Sequence, residues 1–173
     1  MAGLAHMGVS LAAKPIAPKM PLVVLLVSAY VIDIVWSIFF FAGIEHLPTP
    51  SLVATNPWSH GLFMSVIWSV IAALVASFIS SNFRTSLVIG LLVFSYWVVD
   101  FISYPMRFVF PTDSGLPLLF DGSPTVGLGL WSSQIGVNVG EYGTLILGIV
   151  IYILTLRRLK KEKKRSLRGE RCA

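Results

Sequence analysis

Four apolar runs, at about 22–44, 61–79, 86–106 and 130–156, each reach roughly the 20 residues that an α-helix needs to cross a bilayer, and together they take up over half of the chain. Nothing between them is long enough to form a water-soluble domain. Only 12% of the 173 residues are charged, against about a quarter in ordinary soluble domains, while 55% are hydrophobic and the mean hydropathy is +0.81. The pattern predicts an all-α polytopic protein of the cell membrane: four transmembrane helices in a compact bundle, surrounded by the lipid bilayer.

Orientation follows from the basic residues, because positive charge is retained on the cytoplasmic side. Of the 13 Lys and Arg, Lys14 and Lys19 precede the first run, Arg84 lies in the turn at 80–85, nine follow the fourth run, and Arg107 alone falls on the other side. Both termini are therefore expected in the cytoplasm, with outward loops at about 45–60 and 107–129. The chain divides into a cytoplasmic N-terminal arm at 1–20, a transmembrane domain at 21–156 and a basic cytoplasmic tail at 157–173.

The arm carries two prolines and weak periodicity, which suggests an irregular or surface-lying segment without chemistry of its own. It does not read as a cleaved leader, since the apolar run after Lys19 is longer than the roughly 7–15 residues of a secretory core and ends in no small-residue cleavage site. Cys172 is the single cysteine, so no internal disulfide can form. The outward loop at 45–60 is broken by Pro48, Pro50 and Pro57, and the loop at 107–129 mixes turn formers with Leu116, Leu118, Leu119 and Phe120. That second loop is expected to fold down over the mouth of the bundle. The basic tail suits anionic headgroups better than nucleic acid, for which no partner role is assigned.

Function is expected where charge lies inside an apolar run. Asp33, Asp100 and Glu141 each do so, and an ionisable group near the bilayer centre costs roughly 2.5–3.5 kcal/mol even on lenient scales, which marks sites that bind or move something. Residues at i, i+4 and i+7 or i+8 share a helix face. The rule aligns Tyr30, Asp33 and Ser37 in the first run, Tyr96, Asp100 and Tyr104 in the third, and Gln134, Asn138 and Glu141 in the fourth. Facing lipid, these groups would lack partners, so all three stripes are expected to face inward. At about 1.5 Å per residue, Asp33 and Glu141 lie roughly 16 Å and Asp100 roughly 9 Å below the outer surface, while His60, Glu45 and Arg107 sit near that surface, so the acidic groups are expected in the outer half. The bland alternative is a set of protonated carboxyls bonded to neighbouring hydroxyls and amides. In the fourth run, Gly136 and Gly140 carry a spacing that permits close helix approach, for packing or dimerisation, and Trp58 and Trp131 suit the interfacial belt.

The segments NPWSHGLFMSVIWSVIAAL, LVIGLLVFSYWVVDFISYPM, GLPLL and TVGLGLWSS resemble a group of small four-span proteins related to the membrane-bound metal-dependent hydrolases. The likeness covers about 28–145. It implies a metal centre built from an Asp in the first run, a Ser-His-Ser/Gly-Leu at the start of the second, and a His-x3-Asp-x3-His in the third. Asp33, His60 and Asp100 match as metal ligands, whereas Tyr96 and Tyr104 stand where that pattern has histidine. Phenol is a poorer ligand than imidazole, so the resemblance implies a degenerate site that could still hold one divalent metal ion.

No nucleophile elbow, phosphate-binding loop, paired cysteines or His pair at i, i+4 supplies another catalytic signature. Three readings follow. The first is a non-catalytic accessory component of a membrane assembly, with other membrane subunits or further copies of itself as partners. The second is a metal-dependent hydrolase acting on a lipid or amphiphile. The third is a proton- or cation-coupled carrier, against which stands the lack of any inverted repeat or broken helix in the sequence.

Overall fold

A computed structural model describes residues 3–47, 56–80 and 82–169. Pro48, Pro50 and Cys172 lie outside the described residues, as do the last four positions of the basic tail. In chain order the elements are α1 (Gly3–Ala12), α2 (Leu22–Ala29), α3 (Val31–Phe41), a single turn α4 (Pro57–His60), α5 (Leu62–Ile79), α6 (Phe83–Ser103), the short strands β1 (Leu116–Pro117) and β2 (Thr125–Val126), α7 (Gln134–Asn138), a π-helical turn (Val139–Gly143) and α8 (Thr144–Gly169). Three helical stretches, Leu62–Ile79, Phe83–Ser103 and Gln134–Leu167, are long and apolar enough to cross a membrane, and α2 with α3 makes a fourth if the bent pair is one span.

The first apolar run is not one straight helix. Tyr30 takes φ −105° and ψ 8° and its N–H bonds to Val27 O, while the ladder restarts from its own carbonyl to Ile34 N at 3.0 Å. The two halves meet at 51°. The pair is a broken span or a re-entrant segment, so the helical break whose absence from the sequence counted against a carrier is present in this run.

The arm departs further from expectation. Instead of lying irregularly on the surface, residues 3–12 form a helix that buries Ala5, His6, Gly8, Ser10 and Leu11 inside the bundle. Ala5 packs with Met106 and Trp131, whereas Ala13, Ala17 and Met20 pack with Val88 and Leu92. The segment therefore runs from the loop-bearing half of the bundle toward the end that carries Arg84, and its first described residues are not at the end where the basic part of α8 emerges. Glycine makes this possible. A Cβ on Gly8 would collide with the backbone of Thr144, and one on Gly148 with the backbone of Gly8, so α1 and α8 cross backbone to backbone.

Small residues also set the α5–α6 contact. Ser65, Ser69 and Ala76 are buried on α5, and a Cβ on Gly90 would stand 3.0 Å from Ala73 Cβ and from Ser69 O. Large side chains such as Val70, Leu74, Phe78 and Leu91 point outward, as expected of a bundle whose solvent is lipid. Gly136 and Gly140 do not await a second copy: their Cβ positions are filled by Leu130 O and by the indole of Trp131. Trp131 is accordingly buried instead of lying in an interfacial belt, while Trp58 is exposed.

The loop after α6 folds onto the bundle, as its leucines suggested. Leu116 is buried, Leu118 O accepts from Phe63 N at 3.1 Å, and Phe120 packs against Trp58 and Phe63. Leu128, Leu130, Trp131 and Gly129 donate their N–H groups to the carbonyls of Phe101, Ile102, Ser103 and Tyr104. These are the carbonyls that a helix end leaves without intrahelical partners.

Candidate functional site

Four elements bring ionisable side chains together in the loop-facing half of the bundle: α1 supplies His6, α3 Asp33, α4 His60 and α6 Asp100. His6 Nε2 stands 3.4 Å from Asp100 Oδ1, and His60 Nε2 stands 3.9 Å from both Asp33 Oδ1 and Asp100 Oδ2. Asp100 and His6 are each 1% exposed. His6 Nε2 and Asp100 Oδ1, though they face one another, are buried without a hydrogen-bond partner. Two such atoms side by side leave a position that a cation or proton would satisfy.

The surroundings aim these groups. Tyr96 donates its hydroxyl to Asp33 Oδ1 at 2.6 Å, stacks on the His6 ring at 3.7 Å and 7°, and meets the His60 ring edge-on at 5.4 Å. Behind His60 runs a relay: Ser59 Oγ donates to Glu45 Oε2 at 2.6 Å and lies 2.6 Å from His60 Nδ1, while Ser59 N donates to Glu45 Oε1 at 2.9 Å. With the hydroxyl proton of Ser59 given to Glu45, the tautomer that completes this relay has Nδ1 donating to Oγ. The lone pair of His60 is then on Nε2, facing the two carboxylates. Burial holds the His60 imidazole below its ordinary range, against the pull of Asp100 and Asp33.

Glu141 does not join the carboxylates of Asp33 and Asp100. It accepts from Ala5 N at 2.8 Å, one of the orphan donors in the first turn of α1. Tyr30 OH in turn donates to Gly3 O. Both residues hold the helix that carries His6, and so serve the cluster at one remove. Gln134 and Asn138 are not part of it: both are exposed, and they bond to each other at 2.9 Å. The π-helical segment at Val139–Gly143 explains the failure, because its i→i+5 bonding widens the turn and rotates Glu141 away from the stripe that a regular helix would make. Tyr104 is likewise displaced. Helix α6 stops at Ser103, Tyr104 has ψ 149°, and its ring packs in the cluster of Ala5, Met106 and Trp131.

No family model, curated protein or solved structure matches this chain. The site has to be read from its own chemistry.

His6 is the residue that sequence reasoning missed. The available signal was the uncharged stretch MAGLAHMGVSLAA: an apolar run of 10–14 residues suits a buried or re-entrant helix, and small residues at 5, 8, 10 and 12 suit close packing. The donor set, two imidazoles and two carboxylates, is of the type that borderline divalent ions take. As they stand, among the described residues no three such groups surround one point closely enough to hold an ion.

Proposed function

We propose that this chain is a membrane-embedded metal-binding protein of the hydrolase type, in which His6, His60, Asp33 and Asp100 draw in around one divalent cation. The observation that carries the reading is the pair of orphaned atoms, His6 Nε2 and Asp100 Oδ1, 3.4 Å apart. Metal bonds of about 2.0–2.1 Å in a tetrahedral site set neighbouring donor atoms about 3.4 Å apart. The two contacts of His60 have about half an ångström to close, within the reach of small side-chain rotations. His6 also supplies a nitrogen ligand that the two tyrosines at 96 and 104 cannot.

In this reading Tyr96 is a positioning residue, fixing Asp33 by its hydroxyl and His6 by its ring face, and Ser59 with Glu45 fixes the tautomer of His60, as outer-shell groups do in metal sites. A bound divalent ion would supply Lewis acidity and an activated water. The substrate class that fits a cluster within the membrane is a lipid or amphiphile entering from the leaflet on the loop side. That side is taken as the outer one, because Arg84 and the basic end of α8 lie at the other end. The burial of Asp100 and the uncollapsed cluster favour the second reading, a non-catalytic accessory subunit of a membrane assembly.

Metal analysis of the purified protein, after stripping and reloading with zinc or manganese, separates the two. One tightly held ion per chain is expected, with His6→Gln weakening affinity at least about tenfold, or roughly 1.4 kcal/mol. Sub-stoichiometric metal in the native protein, unchanged by His6→Gln, would leave the accessory reading standing.

A further inference from the structure

At the end of the bundle away from the histidines, the turn between α1 and α2 and the start of α6 enclose a cavity of about 220 Å³, with Ala17, Lys19, Met20, Asn82, Arg84 and Thr85 among its lining residues. Lys19 and Arg84 bring two positive charges to its rim, and neither forms an ion pair with an acid among the described residues. Lys14 stands behind it. That lysine is 8% exposed, and its ammonium donates to the carbonyl of Met20, a residue of the cavity wall. Of the three N–H donors that an ammonium carries, this is the one with an acceptor among the described residues, and no carboxylate there balances the charge. A buried cation without a counter-charge is costly, and a cavity with Lys14 behind it, two exposed cations on its rim and no acid among its lining residues is short of an anion.

The N-terminus of α6 does not provide the attraction, since the Asn82 side chain already accepts from Arg84 N at 3.0 Å. Thr85 adds a hydroxyl beside the two rim cations, and a hydroxyl flanked by Lys and Arg suits a phosphate oxygen. The cavity lies at the end of the bundle where the basic part of α8 emerges, and basic pockets between helices on that side of a membrane take phosphorylated headgroups. We propose that this cavity binds a phosphate-bearing anion, either the headgroup of an anionic lipid or a soluble phosphate ester, held by Lys19, Arg84 and the charge of Lys14.

The full chain, purified in an uncharged detergent and delipidated, is tested by its thermal unfolding midpoint in three arms: dioleoylphosphatidylglycerol, dioleoylphosphatidylcholine, and sodium phosphate replacing chloride at equal ionic strength. A rise with phosphatidylglycerol alone identifies a lipid site, and a rise with phosphate as well identifies a site open to soluble esters. In either case, Lys19→Ser with Arg84→Ser, both at exposed positions, should reduce apparent affinity at least tenfold. Lys14→Met should unfold no earlier than the native protein without ligand and should lose the response. Lys160→Gln with Lys163→Gln, on the exposed end of α8, should retain it. The proposal is overturned if neither anion exceeds phosphatidylcholine in chloride, if the response survives the rim substitutions, or if the α8 control abolishes it equally.

Discussion

Glu45 never touches the cluster, yet it sets which nitrogen of His60 carries the proton. Glu45→Gln would place an amide N–H against Ser59 Oγ, send the hydroxyl proton toward Nδ1 and leave Nε2 protonated, so metal affinity should fall about tenfold, within the range for lost outer-shell partners. An unchanged metal titration would remove the relay from the account. The same carboxyl carries a pH signature. Burial pushes it above the usual range, against its hydrogen bonds from Ser59, so the folded state binds its proton more tightly than the unfolded chain. Its contribution to stability is then fully present below the unfolded value of about 4.3 and is lost as pH rises through the higher folded value. Thermal midpoints should decline across that window in the native protein and less so in Glu45→Gln. At this scale Asp33, His60 and Asp100 were legible, because a carboxylate in an apolar run is conspicuous and the histidine sits at a helix start. His6 was not, since nothing local links a short arm to an aspartate 94 positions away.

Among the elements, α1 is the one on which the others depend. It has Glu141 and Tyr30 at one end and Gly8 against α8 in its middle, and it offers no room at that crossing. Gly8→Val would drive a branched side chain into the backbone of Thr144. Overpacking of this kind costs typically about 1–3 kcal/mol, so the thermal midpoint should drop and metal affinity should fall with it, as His6 is carried off Asp100. A variant that unfolds like the native protein would show that α1 is not locked in this crossing. The spans themselves were readable because about 20 apolar residues admit one solution in a bilayer. The Tyr30 bend, the π-helical turn and the early end of α6 were not, because each depends on tertiary partners that face-counting along an ideal helix ignores.

For the whole molecule, composition sufficed to predict a helical membrane protein, while the placement of its ends was only partly legible. Counting basic residues assumes that the arm stays outside the bundle, and the interior position of Ala5 and His6 breaks that assumption without disturbing the spans. Orientation can still be measured at the loops. Ser114 is exposed at the loop-bearing end, so a cysteine introduced there should react with an impermeant maleimide in intact cells; reaction only after permeabilisation would invert the arrangement. The loop that carries Ser114 has an electrostatic consequence too. The end of a helix presents about half a negative charge on its free carbonyls, and Asp100 lies three residues from the end of α6. By giving those carbonyls the N–H groups of residues 128–131, the loop acts as a counter-field, offsetting the negative end of the helix beside the Asp100 side chain.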